Sequence, residues 1–410
     1  VTSGIACSAA LERVPMSKGI YVAGSDKDAG KTMLSLGLIA WFGERLEGRV
    51  TFMKPLGQKT LLRDGKSVGQ DTFLVNSSLG LDVPFEYSAP FTMTSGAARE
   101  YIESGGPPGL KRRVVKAYKK LSSMSEMVVV EGTGHPGVGS VFGMCNAGVA
   151  RLLGLPVLMI LEAGIGSTID RFTLCSSLFR EESVPILGVV INRVAEGKLD
   201  KVKKYLDPWF AKLGITVFGY IPYVGDLCRP SLGMMGRELG FHAEPGAGSV
   251  EGFIAGFGGT GEILDEIAAG PGSVLLLSAG REEVLDAIVA RKLSGILGEG
   301  PGAVVLCGGS EEKARALGRG FHEVGIPLYH TEKSAGDSIS ILNRRVFKVE
   351  PGETPKIDRI VRLIRENVDL EGMMERLREP AVKPPPPRYL GKIRSLFGRI
   401  FGTGGGNGTR

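Results

Sequence analysis

The sequence has 410 residues, 43% hydrophobic and 23% charged, which is ordinary globular composition and enough chain for more than one domain with its own core. The net charge of +6 resides in residues 381–410, which hold six basic residues and no acid, so the balanced body gives no support to nucleic-acid binding. No apolar run reaches the ~18–20 residues needed to span a bilayer, and five scattered cysteines without a C-x-x-C pair exclude a disulfide framework or a zinc site.

Residues 1–18 lack a basic segment followed by an apolar stretch, so no secretory signal is expected and a cytoplasmic location is. Met16 is a candidate start, which would make the first 15 residues a dispensable extension. From residue 19 the pattern is strand, glycine turn, helix: an apolar strand at 19–23, a turn at 24–30 and helical spacing over 31–44. Further apolar strands are predicted at Val50–Met53, 127–130, 157–161, 186–191 and 216–221. Continuous apolar strands alternating with helices predict a parallel α/β sheet covered on both faces, with ligands bound beyond the carboxyl ends of the strands.

A polar, glycine-rich stretch over 227–249 reads as a crossover into a second unit. Strands at 273–277, 303–306 and 327–329, with helices at 282–290 and 311–324, predict a smaller α/β domain there. Residues 357–377 read as a helical segment packed on the body, and the prolines at 384–387 as a stiff spacer. Beyond it, Tyr389, Leu390, Ile393, Leu396, Phe397, Ile400 and Phe401 recur at helical spacing, with Lys392, Arg394 and Arg399 on other faces. This basic amphipathic tail suits docking on an anionic membrane or on a protein partner. The expected division is thus 1–17 extension, 18–226 first domain, 227–352 second domain, 353–380 helical segment and 381–410 tail.

The stretch Gly24-Ser25-Asp26-Lys27-Asp28-Ala29-Gly30-Lys31-Thr32 lies where a phosphate-binding loop belongs, between a strand and a helix. Glycine permits close backbone approach, successive N–H groups and the helix dipole favour an anion, and Lys31 neutralises phosphate charge. The Thr32 hydroxyl is suited to ligate Mg²⁺. Gly24, Asp28, Ala29 and Gly30 complete the cradle, although its first glycine stands one residue earlier than the strict G-x-x-x-x-G-K-[ST] spacing.

The longer spacing is similar to that of dethiobiotin synthetases, and five further motifs follow in the same order. Met53-Lys54-Pro55-Leu56-Gly57-Gln58 resembles their Lys-Pro motif, and Gln70-Asp71 their Ser/Asn-Asp. Val130-Glu131-Gly132-Thr133-Gly134 resembles their Glu-Gly-Ala-Gly, and the run ending in Asn192-Arg193 their base-reading strand; Gly219-Tyr220-Ile221-Pro222 completes the set. The Lys-Pro-Leu-Gly-Gln form resembles the BioD-like N-terminal domain of some phosphotransacetylases still more closely. Ser278-Ala279-Gly280-Arg281-Glu282, Cys307-Gly308-Gly309 and Tyr329-His330-Thr331 resemble a DRTGG domain.

The resemblance implies ATP with Mg²⁺, held by Thr32, Asp71 and Glu131, hard oxygen donors suited to that ion. It implies that Lys54 faces the γ-phosphate beside Lys31, that Asn192 pairs with the adenine edge, and that Pro222 lines the same site. It also implies a homodimer. The substrate half differs: Gly57-Gln58 replaces a small-hydroxyl continuation, and 92–98 lacks the substrate-loop pattern. The expected activity is ATP hydrolysis or γ-phosphoryl transfer to an unidentified, carboxylate-type small-molecule acceptor. A non-catalytic nucleotide sensor and a dethiobiotin synthetase are the alternatives. His135, with no partner visible in sequence, is assigned no catalytic role, and His242, His322 and His330 read as surface or packing residues.

Overall fold

The computed structural model describes residues 18–379, except 59, 64–65, 95, 106–108, 242–252, 256–258, 270–272 and 345–346. The tail, the first 17 residues and His242 lie outside the described residues. The chain forms two compact units: Val224–Arg359 is one, and the residues before it together with those from Ile360 onward are the other.

The first unit is built on strands β1 (Gly19–Gly24), β2 (Val50–Met53), β5 (Met127–Glu131), β6 (Val157–Glu162), β7 (Ile186–Val194) and β8 (Val217–Pro222), with a short antiparallel pair, β3 (Thr60–Arg63) and β4 (Lys66–Gly69), inserted after β2. The six strands form one parallel sheet in the order β2-β5-β1-β6-β7-β8. The central strands are buried along their whole length, which is why they read as unbroken apolar runs and not as alternating ones. Chain direction across the sheet reverses at β1: β5 lies on one side of it and β6 on the other. Loops at the carboxyl ends of these strands therefore part around β1, leaving a crevice for ligands. One face of the sheet carries Val128, Val130, Met159 and Leu161 against Phe172, Phe179 and Phe210, all buried. Burial of such aromatic and aliphatic side chains contributes about 1.5–3 kcal/mol each.

The expected single helix at 357–377 is two helices, Thr354–Asn367 and Leu370–Arg378. The break has a physical cause. Val368 bridges Gly219 of β8, the Asp369 N–H donates to the Phe218 carbonyl at 2.6 Å, and the Asp369 carboxylate then caps the second helix at the Gly372 N–H. A side chain at Gly219 would collide with the Asn367 carbonyl. Ile364, fully buried, fills the space above Gly37 of helix Lys31–Arg45, where an added Cβ would lie 2.5 Å from it.

The second unit has a four-stranded parallel sheet, β12-β11-β10-β9, made of β9 (Phe253–Ala255), β10 (Val274–Ser278), β11 (Ala303–Cys307) and β12 (Leu328–Thr331). Part of the expected crossover is helix Leu232–Leu239, capped by Ser231. Its Leu232, Met235 and Leu239 share one face and join Val274, Leu276 and Val305 in the core. Their apolar spacing is hidden among glycines and charges in the sequence.

Gly219→Ala is expected to lower stability by about 1–3 kcal/mol, because the new methyl forces the 367–369 segment off the sheet edge. A thermal melt with unchanged midpoint would show that this edge contact contributes nothing.

Candidate functional site

All the expected site residues of the first unit except Pro222 meet around the carboxyl edge of the central strands. Gly24 ends β1, Lys54 follows β2, Glu131 ends β5 and Asn192 lies near the end of β7. Pro222 ends β8 at the sheet margin and is exposed.

The phosphate loop closes on Gly30, whose φ of 105° is accessible mainly to glycine, and helix Lys31–Arg45 starts there without any side-chain cap. Its first N–H groups have no intrahelical acceptor and point into the loop, the geometry that favours an anion. Lys31 is buried and folds back over the loop. Its Nζ donates to the carbonyls of Asp26 (2.8 Å), Lys27 (3.0 Å) and Gly134 (3.0 Å). A Cβ at Gly24 would stand 3.0 Å from Lys31 Nζ, so glycine at this position makes room for the lysine stem. Asp28 and Ala29 complete the loop, Asp28 half-buried and Ala29 buried.

Beside the loop lies a buried charge cluster. Lys54 Nζ is 2.5 Å from Glu131 Oε1 and 2.7 Å from Asp71 Oδ2, and Thr32 Oγ1 donates to the same Glu131 oxygen at 3.1 Å. Glu131 is fully buried, Lys54 is 5% exposed, and Asp71 sits in the first turn of helix Gln70–Ser78, where the dipole favours its charge. Burial alone would lower the Lys54 pKa, but attraction and hydrogen bonds from Asp71 and Glu131 outweigh it and hold the ammonium protonated well above the usual lysine range. Glu131 Oε2 is buried and accepts no hydrogen bond among the described residues. A carboxylate oxygen left this way is costly unless a cation or donor satisfies it. Two carboxylates and a hydroxyl around it are hard donors of the kind Mg²⁺ takes, so the residues present fit that ion.

Asn192 does not face open space. Its amide nitrogen donates to the Ala29 carbonyl at 2.8 Å, its oxygen accepts from the Arg193 N–H at 2.8 Å, and it is 4% exposed. A Cβ at Gly30 would strike this amide. In this structure Asn192 buttresses the phosphate loop, with its amide nitrogen and its oxygen both hydrogen-bonded. Next to it, Arg193 takes a left-handed φ of 61° and pairs with Glu162, which also binds Arg171 at 2.6 Å. The Arg171 hydrogen bond, reinforced by Arg193, holds the Glu162 carboxyl below its usual range.

Two residues that the sequence reading missed organise the loop after β5. Asn146 Nδ2 donates to the carbonyls of Thr133 and His135, and its Oδ1 accepts from the Thr133 N–H and the Tyr21 hydroxyl. Tyr21 and Asn146 are both buried. Nothing local in the sequence marks a polar residue 13 positions beyond the loop it braces. His135 itself is exposed, its Nδ1 accepting from the Gly137 N–H. Past Lys54, Gly57 bridges Thr92, and a cavity of about 410 Å³ opens between Gln58, Met93, Thr94, Gly96, Ala97 and Phe142.

The family model for the AAA domain AAA_26 matches residues 18–231. A phosphate acetyltransferase of Nitratidesulfovibrio vulgaris is 25% identical over 376 residues, 88% of this chain and 52% of that protein. A cobyric acid synthase of Moorella thermoacetica is 29% identical over 260 residues, covering 58% and 49%. The ATP-dependent dethiobiotin synthetase BioD of Clostridium kluyveri is 27% identical over 211 residues, covering 48% and 86%. The chain thus spans about half the length of the first two relatives.

Lys54→Met is expected to destabilise the fold by about 3–5 kcal/mol, because it strands two carboxylates in a buried site. Adding Glu131→Gln should recover part of that loss in urea titrations, and no recovery would show that the cluster is not an electrostatic unit. Asn146→Ala should cost about 1–3 kcal/mol through the backbone groups it leaves unpaired. An unchanged urea midpoint would remove Asn146 from this role.

Proposed function

The chain belongs to the AAA_26 family, an AAA domain, and from that premise we propose that it binds ATP with Mg²⁺ and transfers the γ-phosphoryl group to water or to a carboxylate-type acceptor. The observation that carries this reading is the junction of Lys31 and Thr32, at the start of an uncapped helix, with the buried Lys54–Glu131–Asp71 cluster. The helix N-terminus and Lys31 bind and orient the phosphates, Lys31 giving up its carbonyl partners for them. Thr32, Asp71 and Glu131 are the residues that would hold Mg²⁺, which supplies charge neutralisation across the phosphates when bound.

Lys54 remains protonated at Nζ through the physiological range. It acts as a fixed positive charge toward the transferring group, and it is unfit as a general base. Asp71 and Glu131 are engaged with Lys54. A nucleophile that arrives already ionised suits this site better than a hydroxyl that must first be deprotonated. A carboxylate oxygen attacking the γ-phosphorus, with cleavage of the bond to the β-phosphate oxygen, yields an acyl phosphate and ADP. The cavity beside Gln58 and Thr94 is the place for such an acceptor, and among the described residues no charged side chain lines it.

One observation favours a second reading, a nucleotide sensor. Lys31 ties the phosphate loop to Gly134, so phosphates that draw Lys31 away release the loop after β5.

Nucleotide binding and hydrolysis with Mg²⁺ test both readings. Lys31→Ala is expected to lose at least about tenfold in ATP affinity, and Glu131→Gln to keep binding while losing about 10²-fold or more in turnover. Tight binding without turnover in the unaltered chain would favour the sensor. Failure of that chain to bind ATP or GTP would overturn the proposal.

A further inference from the structure

Charge balance over the whole body conceals a local excess. Helix Leu110–Met124 buries Leu110, Val114, Ala117 and Leu121 on one stripe. The opposite side carries Lys111, Arg112, Arg113, Lys116, Lys119 and Lys120, all exposed. At 100° per residue these six spread across the outward face over about 14 Å of helix. No acidic residue occurs between Glu103 and Glu126, and Glu126 is engaged with the Gly48 N–H. Among the described residues none of the six cations forms an ion pair. Elsewhere on the same unit surface arginines are paired, as Arg151 is with Glu182 and Arg365 with Glu44.

The amino-terminal end of this helix is flanked by exposed aliphatic side chains. Ile102 is 75% exposed on helix Ala97–Ser104, which packs through Tyr101 on Phe142. Val141, next to Phe142, is also exposed, and Leu152 lines a cavity of about 350 Å³ together with Lys111 and Gly143. Unpaired cations beside exposed aliphatic groups match the charge and chemistry of a lipid headgroup layer over acyl chains.

We propose that the outward face of helix Leu110–Met124, with the aliphatic groups at its amino-terminal end, docks on an anionic phospholipid bilayer. A second copy of the chain is disfavoured, because two such faces carry like charge. Single-stranded nucleic acid is disfavoured because the face offers aliphatic groups where unpaired bases need exposed aromatic rings, and a duplex because its phosphates would engage the cations and leave the aliphatic groups without a partner. The tail sequence adds an independent argument: apolar residues from Tyr389 to Phe401 interspersed with Lys392, Arg394 and Arg399 supply a second basic, apolar contact on the same chain. Stable peripheral attachment takes two such signals.

The test is co-sedimentation of the full chain with phosphatidylcholine vesicles, with and without about 30 mol% phosphatidylserine. The helix variant carries Arg112→Glu, Arg113→Glu, Lys116→Glu and Lys119→Glu, and unaltered ATP binding verifies that it is folded. Binding is expected to anionic vesicles only, and to fall at least about tenfold in the variant and in about 0.5 M salt. A chain ending at residue 380 should retain a weaker, salt-sensitive part of the binding. Any one of several outcomes would overturn the proposal. They are equal binding by variant and unaltered chain, no binding to anionic vesicles, and tighter binding to duplex DNA or RNA than to vesicles. Loss of a dimer in the variant would assign the face to a second copy and would also overturn it.

Discussion

A carboxylate buried at the end of a central strand cannot stand alone, and the architecture of the carboxyl edge follows from that constraint. Glu131 is fully buried. It is tolerated because Lys54 reaches it from the neighbouring strand end and Thr32 from the first turn of the loop helix. Asp71 then balances the lysine from a helix that enters only after the β3–β4 pair. Three separate stretches of chain are thus drawn to one point by charge neutralisation. That point lies beside the phosphate loop because β1, β2 and β5 are parallel near-neighbours.

The second organising constraint is close backbone approach. Gly24 makes room for the Lys31 stem, and Gly30 for the Asn192 amide. Asn192 anchors the loop from one side, while Lys31 links it to Gly134 on the other. Asn146 fixes the segment from Thr133 to His135. The loop is therefore held between β5 and β7 by polar side chains whose own hydrogen bonds are satisfied, which rigidifies a site while leaving its helix N-terminus uncapped. The same device closes the sheet at its far edge, where glycine at position 219 admits the backbone of Val368.

Local sequence was sufficient wherever period and spacing carry the information. The parallel strands announce themselves as unbroken apolar runs, and the phosphate loop as a glycine turn between strand and helix. Lys31 and Thr32 follow from that position. Lys54, Asp71 and Glu131 were reached only through resemblance, since no spacing rule links residues 54, 71 and 131. Their convergence depends on strand order. The helix Leu232–Leu239 was masked by its glycines, and the break at Val368 by continuing helical periodicity on either side.

By itself, then, the sequence determined a doubly covered parallel sheet, a phosphate loop with its lysine and threonine, and a charge-balanced body with a basic tail. Tertiary structure decided which distant side chains meet. It turned Asn192 inward to the loop, brought Tyr21 and Asn146 together as a brace, and set six cations on one outward helix face. The physical reason is range. Periodicity and turn chemistry act over a few residues, whereas ion pairing and hydrogen bonding between strand ends depend on sheet order, which no local pattern encodes.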